Sequence, residues 1–347
     1  MRAVALPLRM ANVFKQFQLR QVILVVLLML LVAAVTLFQP NFLSLANLGN
    51  IAVQFSQIGL MAAGMTFVMI AGGIDLSVGS VLALGAGIGG VLMSVGCPVP
   101  LAIIGALLGG AVIGWINGTG IAYLKIPALI ITLGTLYAVR GGVELYSNGS
   151  GSTIAQDFPT GFRFLGQGSL LGIPTPTLVT LIVYVVLYLV LTKTRFGRYT
   201  IAVGTDAEAA RRSGILVERH LTKIYILSGV MSVVAGLLIT AQVNAASIDL
   251  GRGAELTVIA AVVVGGTSLY GGQGSIPGTF LGVTFLTIMA DALDILNVSP
   301  FAIDLATGSL LLLSAAADVL ANRKGLASLR NRFFGTRETE FAVRKTT

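Results

Sequence analysis

The sequence is short of charge: only 10% of its 347 residues are Asp, Glu, Lys or Arg, against the roughly 25% of a soluble globular domain. With 55% apolar residues and a mean hydropathy of +0.92, that scarcity excludes an ordinary soluble fold and places the chain in a membrane. Cysteine and histidine are scarcer still. The single Cys97 excludes an intramolecular disulfide, and the single His220 excludes a multi-histidine metal site, so neither a metal centre nor redox chemistry is expected. No Gly-x-x-x-x-Gly-Lys-Ser/Thr stretch occurs, which leaves the chain without a phosphate-binding loop and so without an ATPase site or nucleotide cofactor of its own.

Acidic residues are the rarer sign, 14 against 22 Lys and Arg, for a net charge of +8. In a soluble protein that excess would suggest nucleic acid. Here the basic residues stand in loops beside apolar runs, where membrane topology accounts for them, and no nucleic-acid partner is expected. Carboxylates within the apolar runs would mark an ion-driven carrier, and they are few. Asp291, Asp294 and Asp304 fall near the external ends of the last two spans, read either as hydrated interfacial groups or as contacts to a polyhydroxy solute or an external partner. Asp75 is placed to cap the span that follows it.

What the sequence has in quantity is apolar runs. They lie at about 22–38, 51–71, 78–95, 99–123, 126–143, 177–192, 224–243, 256–268, 276–293 and 300–320. At about 20 residues per crossing, these predict an all-α polytopic membrane protein of about ten transmembrane helices, two of them too short to span unaided. The first run follows Arg2, Arg9, Lys15 and Arg20 but is too long for a signal peptide, so it reads as a retained anchor. Positively charged loops stay in the cytoplasm. Both termini inside would put 19 of the 22 basic residues on that side: four in the N-terminal tail, Lys125 in a short turn, seven between Lys193 and Lys223, and seven after Leu320. The expected organisation is a cytoplasmic tail at 1–21, a transmembrane domain at 22–320 with an exposed external loop at 146–176 and a cytoplasmic loop at 193–223, and a basic cytoplasmic tail at 321–347.

Within the cytoplasmic loop, Thr205-Asp206-Ala207-Glu208 has the spacing of a capping box, Thr205 capping a short helix and Glu208 reaching back. Ala209 and Ala210 favour helix, Arg211 and Arg212 suit its negative C-terminal end, and Ser213-Gly214 provides a left-handed stop. A compact, self-terminated helix between two spans is a natural docking knob. Glycine, 43 residues in all, recurs inside the spans, at Gly85, Gly87, Gly89 and Gly90 and again at Gly105, Gly109, Gly110 and Gly114. Small residues there let helix backbones approach closely. Gly72-Gly73 before Asp75, and Gly265, Gly266, Gly271, Gly272 and Gly274, predict broken helices with irregular backbone at membrane depth, tolerated only where protein or a water-filled cavity surrounds it.

Several motifs in the same order carry a resemblance. Gly64 to Ser80 (GMTFVMIAGGIDLSVGS), Pro127 to Thr135 (PALIITLGT), Thr194-Arg-Phe-Gly-Arg198, Ala209 to Ile215 (AARRSGI) and Ala260 to Ser268 (AAVVVGGTS) resemble the permease subunits of bacterial ABC sugar importers of the ribose, xylose and autoinducer-2 type. The likeness runs from about span two to span ten and departs from the usual pattern near Ala290 to Asn297. It implies a subunit of the bacterial inner membrane that moves a monosaccharide, ribose foremost, without covalent chemistry. It also implies a second permease subunit, the same or a paralogue, an external solute-binding protein, and an ATP-binding subunit holding ATP and Mg. The ATPase would engage the coupling segment Thr205, Asp206, Glu208, Ala209, Ala210, Arg211, Arg212, Ser213 and Gly214. Gln54, Gln57, Asp75, Asn117, Thr132, Thr135, Asp291 and Asp294 are candidates for lining the path, although polar residues in spans equally bridge helices. Rival readings are the same architecture serving autoinducer-2, a branched-chain amino acid or a nucleoside, an ion-coupled secondary carrier, and a membrane receptor or scaffold.

Overall fold

The computed structural model describes residues 5–146 and 153–321; the expected basic tail from 322 and the middle of the expected external loop lie outside the described residues. In chain order the elements are α1 (Ala5–Phe38), a 3-10 turn (Pro40–Leu43), α2 (Leu45–Ile70), α3 (Val78–Ser94), α4 (Val99–Ala122), α5 (Ala128–Tyr146), β1 (Thr153–Gln156), α6 (Thr160–Gln167), β2 (Ser169–Leu170), β3 (Ile173–Pro174), α7 (Thr175–Lys193), α8 (Arg195–Thr205), α9 (Ala207–Arg212), α10 (Val217–Val243), β4 (Ala245–Ser247), α11 (Ala254–Val264), α12 (Ile276–Ile295) and α13 (Pro300–Ala321).

Each of the ten apolar runs is a helix, and eight are long and apolar enough to cross a membrane. The two short ones are α3, of 17 residues, and α11, of 11. At about 1.5 Å per residue α11 covers about 16 Å, half of a hydrocarbon core of about 30 Å. The run expected at 177–192 reaches full length as the 19-residue α7. Starts follow local chemistry: Ser44 accepts from the Asn47 amide at the head of α2, Ser275 from the Gly278 amide at the head of α12, and Pro occupies the first turn of α4, α7 and α12, where its missing N–H costs nothing.

α2 and α10 form the buried centre, with α3, α4, α7, α11 and α12 around them. The α4–α10 contact is made by glycine. Gly110, Gly114 and Gly118 repeat every fourth residue, and a Cβ at Gly118 would stand 2.6 Å from Thr222 Cα, while one at Gly114 would overlap the Tyr225 carbonyl oxygen. Lipid offers no hydrophobic drive between spans, so such backbone proximity supplies the dispersion that holds them.

Two ends of the bundle differ. The basic end carries Lys125, α8 and α9. Here α10 begins at Val217, seven residues before the expected start, because Thr200 Oγ1 lies 3.0 Å from His220 Nε2 and Phe196 packs on the imidazole with ring centroids 4.7 Å apart. The expected 193–223 loop is therefore mostly helical. At the opposite, cap end, the described part of the segment expected as an exposed loop, from Thr153 on, is folded: β1 pairs antiparallel with β4, α6 packs on the end of α10, and Phe158 and Phe162 are buried edge to face, 5.5 Å apart. Those two aromatics, invisible to a Gly/Ser/Pro count, convert the connector into a cap.

Candidate functional site

The turn between α2 and α3 is the polar centre. Asp75, 1% exposed, does not cap α3 as expected; its Oδ1 accepts from the Ser77 amide at 3.0 Å and the Ser77 hydroxyl at 2.6 Å, and its Oδ2 accepts from Ser228 Oγ at 2.8 Å, near the middle of α10. Asn117 on α4, fully buried, donates to Ser77 Oγ at 2.9 Å and accepts from Thr135 Oγ1 on α5. Thr132 donates to the Ala128 carbonyl at 2.8 Å and approaches the Ile74 carbonyl at 3.4 Å, where Tyr225 Oη also lies at 3.4 Å. Four of the eight path candidates thus meet in one network that ties the broken α2–α3 connection to α4, α5 and α10. Ser77, Ser228 and Tyr225 complete it without having been singled out in the sequence.

The other four lie elsewhere. Gln57 Nε2 donates to Gln242 Oε1 at 2.7 Å, joining α2 to α10 near the cap end, and Gln54 is half-buried one turn earlier. Asp291 is 5% exposed, with its Oδ2 accepting from Asn47 Nδ2 at 2.8 Å. That overturns the hydrated-interface reading for this residue, whereas Asp294 and Asp304 are exposed as that reading requires.

Arg140, on α5, is buried, and its guanidinium donates to the carbonyls of Ile248, of Leu250 at 3.0 Å and of Gly79 at 3.2 Å. The irregular backbone between β4 and α11 therefore dips into the bundle to meet the first turn of α3. No sequence motif marks this contact, because the partners are main-chain oxygens.

At the basic end, α9 is capped by Asp206, not Thr205. Asp206 Oδ1 accepts from the Glu208 and Ala209 amides at 3.0 and 2.9 Å, while Thr205 closes α8 and bonds back to the Ile201 carbonyl at 2.7 Å. Glu208 does not reach back; it pairs with Arg211 at 2.7 Å and Arg212 at 3.5 Å. Arg211 also meets Glu218 at 2.6 Å, and this hydrogen bond holds its pKa above the ordinary arginine value. Ala210 is buried with Val203 and Val217, Ser213 returns its hydroxyl to the Ala209 carbonyl, and Gly214 takes φ +84° to turn the chain into α10. The knob is seated on the bundle. A Cβ on Gly204 would overlap the Ile70 carbonyl, which itself accepts from the Gly272 amide at 2.8 Å, so the ends of α8 and α2 and the turn after α11 meet at one point. Among the described residues no three His, Cys, Asp or Glu gather as metal ligands would.

A bundle of ten apolar helices, eight of them long enough to cross a membrane, with a compact charged helix pair seated on one end, defines a multi-pass membrane domain. The family described as branched-chain amino acid transport system / permease component matches residues 47–324, and the chain belongs to it. The chain is 38% identical over 300 residues to the ribose import permease protein RbsC of Haemophilus influenzae, covering 86% of this chain and 93% of that one. It is 40% identical over 293 residues to RbsC of Bacillus subtilis, covering 84% and 90%. It is also 36% identical over 295 residues to the L-arabinose transport system permease protein AraH of Escherichia coli, covering 85% and 89%. No solved structure matches. The chain is accordingly a transporter component and a multi-pass protein of the inner membrane.

Proposed function

We propose that this chain is the permease subunit of an ATP-driven importer of a pentose, ribose foremost. The observation that carries the substrate class is that relatives at 36–40% identity over most of their length are named for ribose import and L-arabinose transport. A neutral polyhydroxy solute suits a bundle whose central polar groups are mostly hydroxyls and amides, and whose buried carboxylate, Asp75, is already occupied by Ser77 and Ser228.

The basic end faces the cytoplasm in this reading, by the excess of Lys and Arg. There an ATP-binding subunit, carrying ATP and Mg, grips α9, with its Arg211 and Arg212, and the neighbouring Arg195 and Arg198 of α8. Because α8, α2 and the turn after α11 meet at Ile70, a push on the knob is felt by the core directly. An external solute-binding protein delivers sugar to the cap end, and two permease copies, identical or paralogous, enclose the path. ATP binding and hydrolysis on the partner bias two packings of the bundle, as a ligand does that binds one state more tightly.

The test is gentle purification from the native membrane with mass spectrometry of associated subunits, followed by uptake of labelled ribose with arabinose and xylose as competitors. Recovery of an ATP-binding subunit and vanadate-sensitive ribose uptake are expected. Uptake that follows an ion gradient without an ATPase would replace this reading with the ion-coupled carrier.

A further inference from the structure

We infer that Arg140 is the latch of a gate at the cap end: a positioning residue that holds the 248–251 backbone against the start of α3, and whose release opens the path beneath the cap. The inference rests on the permease reading above.

A buried arginine within a spanning helix is costly and calls for a purpose. Arg140 spends its planar donors on carbonyls of two separate segments, Gly79 of α3 on one side and Ile248 and Leu250 on the other, so its guanidinium is the rivet between them. The two segments also touch directly: a Cβ on Gly251 would stand 2.6 Å from the Gly79 carbonyl oxygen, and Gly251 itself has φ +69°.

Both segments lead somewhere. Upstream of 248 the chain is β4, whose Ala245, Ala246 and Ser247 pair with β1 of the cap. Downstream it enters α11, which ends at Gly265 against Gly278 of α12 and is followed by the turn that touches Ile70 and Gly204 at the basic end. Gly79 lies two residues after Ser77, a member of the Asp75 network. A displacement of the cap by a docked protein therefore reaches the latched segment through β4, and a displacement at the basic end reaches it through α11. The segment is anchored to the hydrophobic core by the half-buried Leu250, whereas its approach to α3 is backbone on backbone and depends on Arg140. Around the latch, Arg252 pairs with Glu144 at 3.0 Å and with Asp249 at 3.3 Å, and Glu255 lies beside Gly79, so hydrophilic groups line the opening that release would create.

The experiment uses the full chain in membrane vesicles, without nucleotide, and a membrane-impermeant maleimide. Ile248→Cys reports the latched segment and native Cys97, at the α3–α4 turn, reports general loosening. Arg140→Gln is expected to raise labelling at position 248 about tenfold, the population change that follows loss of a charge-assisted hydrogen bond, and to leave Cys97 unchanged. Arg140→Lys, which keeps the charge but not the fork, falls between. Gly251→Ala, which leaves Arg140 in place and wedges the segments apart, raises labelling likewise. Equal labelling in all four proteins, or a parallel rise at Cys97, overturns the latch. None of these readouts needs transport, so loss of wild-type pentose uptake would refute the permease reading alone.

Discussion

Asn117 donates its side-chain amide to Ser77 Oγ at 2.9 Å, joining the middle of the bundle to the broken start of α3 across 40 positions of sequence. Its carbonyl takes the Thr135 hydroxyl in the same stroke. Replacing it with the isosteric but apolar Asn117→Leu leaves buried hydroxyls short of a partner and is expected to destabilise the protein by about 1–3 kcal/mol. Thermal unfolding in mild detergent reads this as a lowered midpoint. Adding Ser77→Ala is expected to cost less than the two single losses combined, because both single changes remove the same Asn117–Ser77 bond.

Glycines in the same spans should differ sharply in tolerance. Gly114→Leu drives a side chain into the Tyr225 carbonyl and is expected to abolish recovery of monodisperse protein, whereas Gly134→Leu, on α5 with nothing within 4 Å of its Cβ direction, is expected to leave yield unchanged. Size-exclusion profiles of the two variants check the pair.

At the basic end the expected outcomes separate the observed cap from the one the sequence pattern first suggests. Asp206→Ala removes the acceptor for two amides and should cost about 1 kcal/mol of local helix stability, while Thr205→Ala should cost a few tenths. Gly214→Val forces a β-branched residue to φ +84°, at about 1–2 kcal/mol, and should displace α9 from its seat. In ATPase-stimulation and uptake assays, Asp206→Ala and Gly214→Val are expected to lower coupling severalfold with membrane insertion intact, and Thr205→Ala to match wild type. Full activity in all three would remove α9 from the coupling role.

Sidedness has its own check. In a Cys97→Ser background, Leu171→Cys at the fully exposed tip of the β2–β3 hairpin should label from outside intact cells, and Arg212→Cys only after permeabilisation. Labelling of both from one side would overturn the orientation.

Helix positions were legible because hydropathy is a local property: every run became a helix, although α10 starts seven residues early and α1 reaches back from the expected 22 to Ala5. The misread edges have tertiary causes. α10 starts early because His220 finds Thr200 and Phe196 on α8, and no window of sequence contains both sides of that contact. Thr205 and Asp206 are adjacent and both cap helices, Asp the better by type; α8, running through Thr205, leaves Asp206 to do so. Asp291 looked interfacial because its partner, Asn47, lies 244 positions away. Of the path candidates, Asn117, Thr132 and Thr135 were legible as polar residues in spans and Asp75 as a cap beside one, but their union was not. Arg140 escaped altogether, since main-chain carbonyls carry no letter.

The brevity of α11 has a consequence for how the protein is made. Eleven residues fronted by Arg252 and Glu255 are too short to be released into lipid as an independent span. Their place in the bilayer depends on the antiparallel seat against α12, where Gly265 meets Gly278 and Gly282 meets Ala261. During synthesis α11 must therefore wait at the translocon until α12 has left the ribosome, and the two enter as a hairpin. A nascent chain stopped short of residue 276 would leave α11 with its contact to α2 but without this seat, an early and specific target for quality-control proteases.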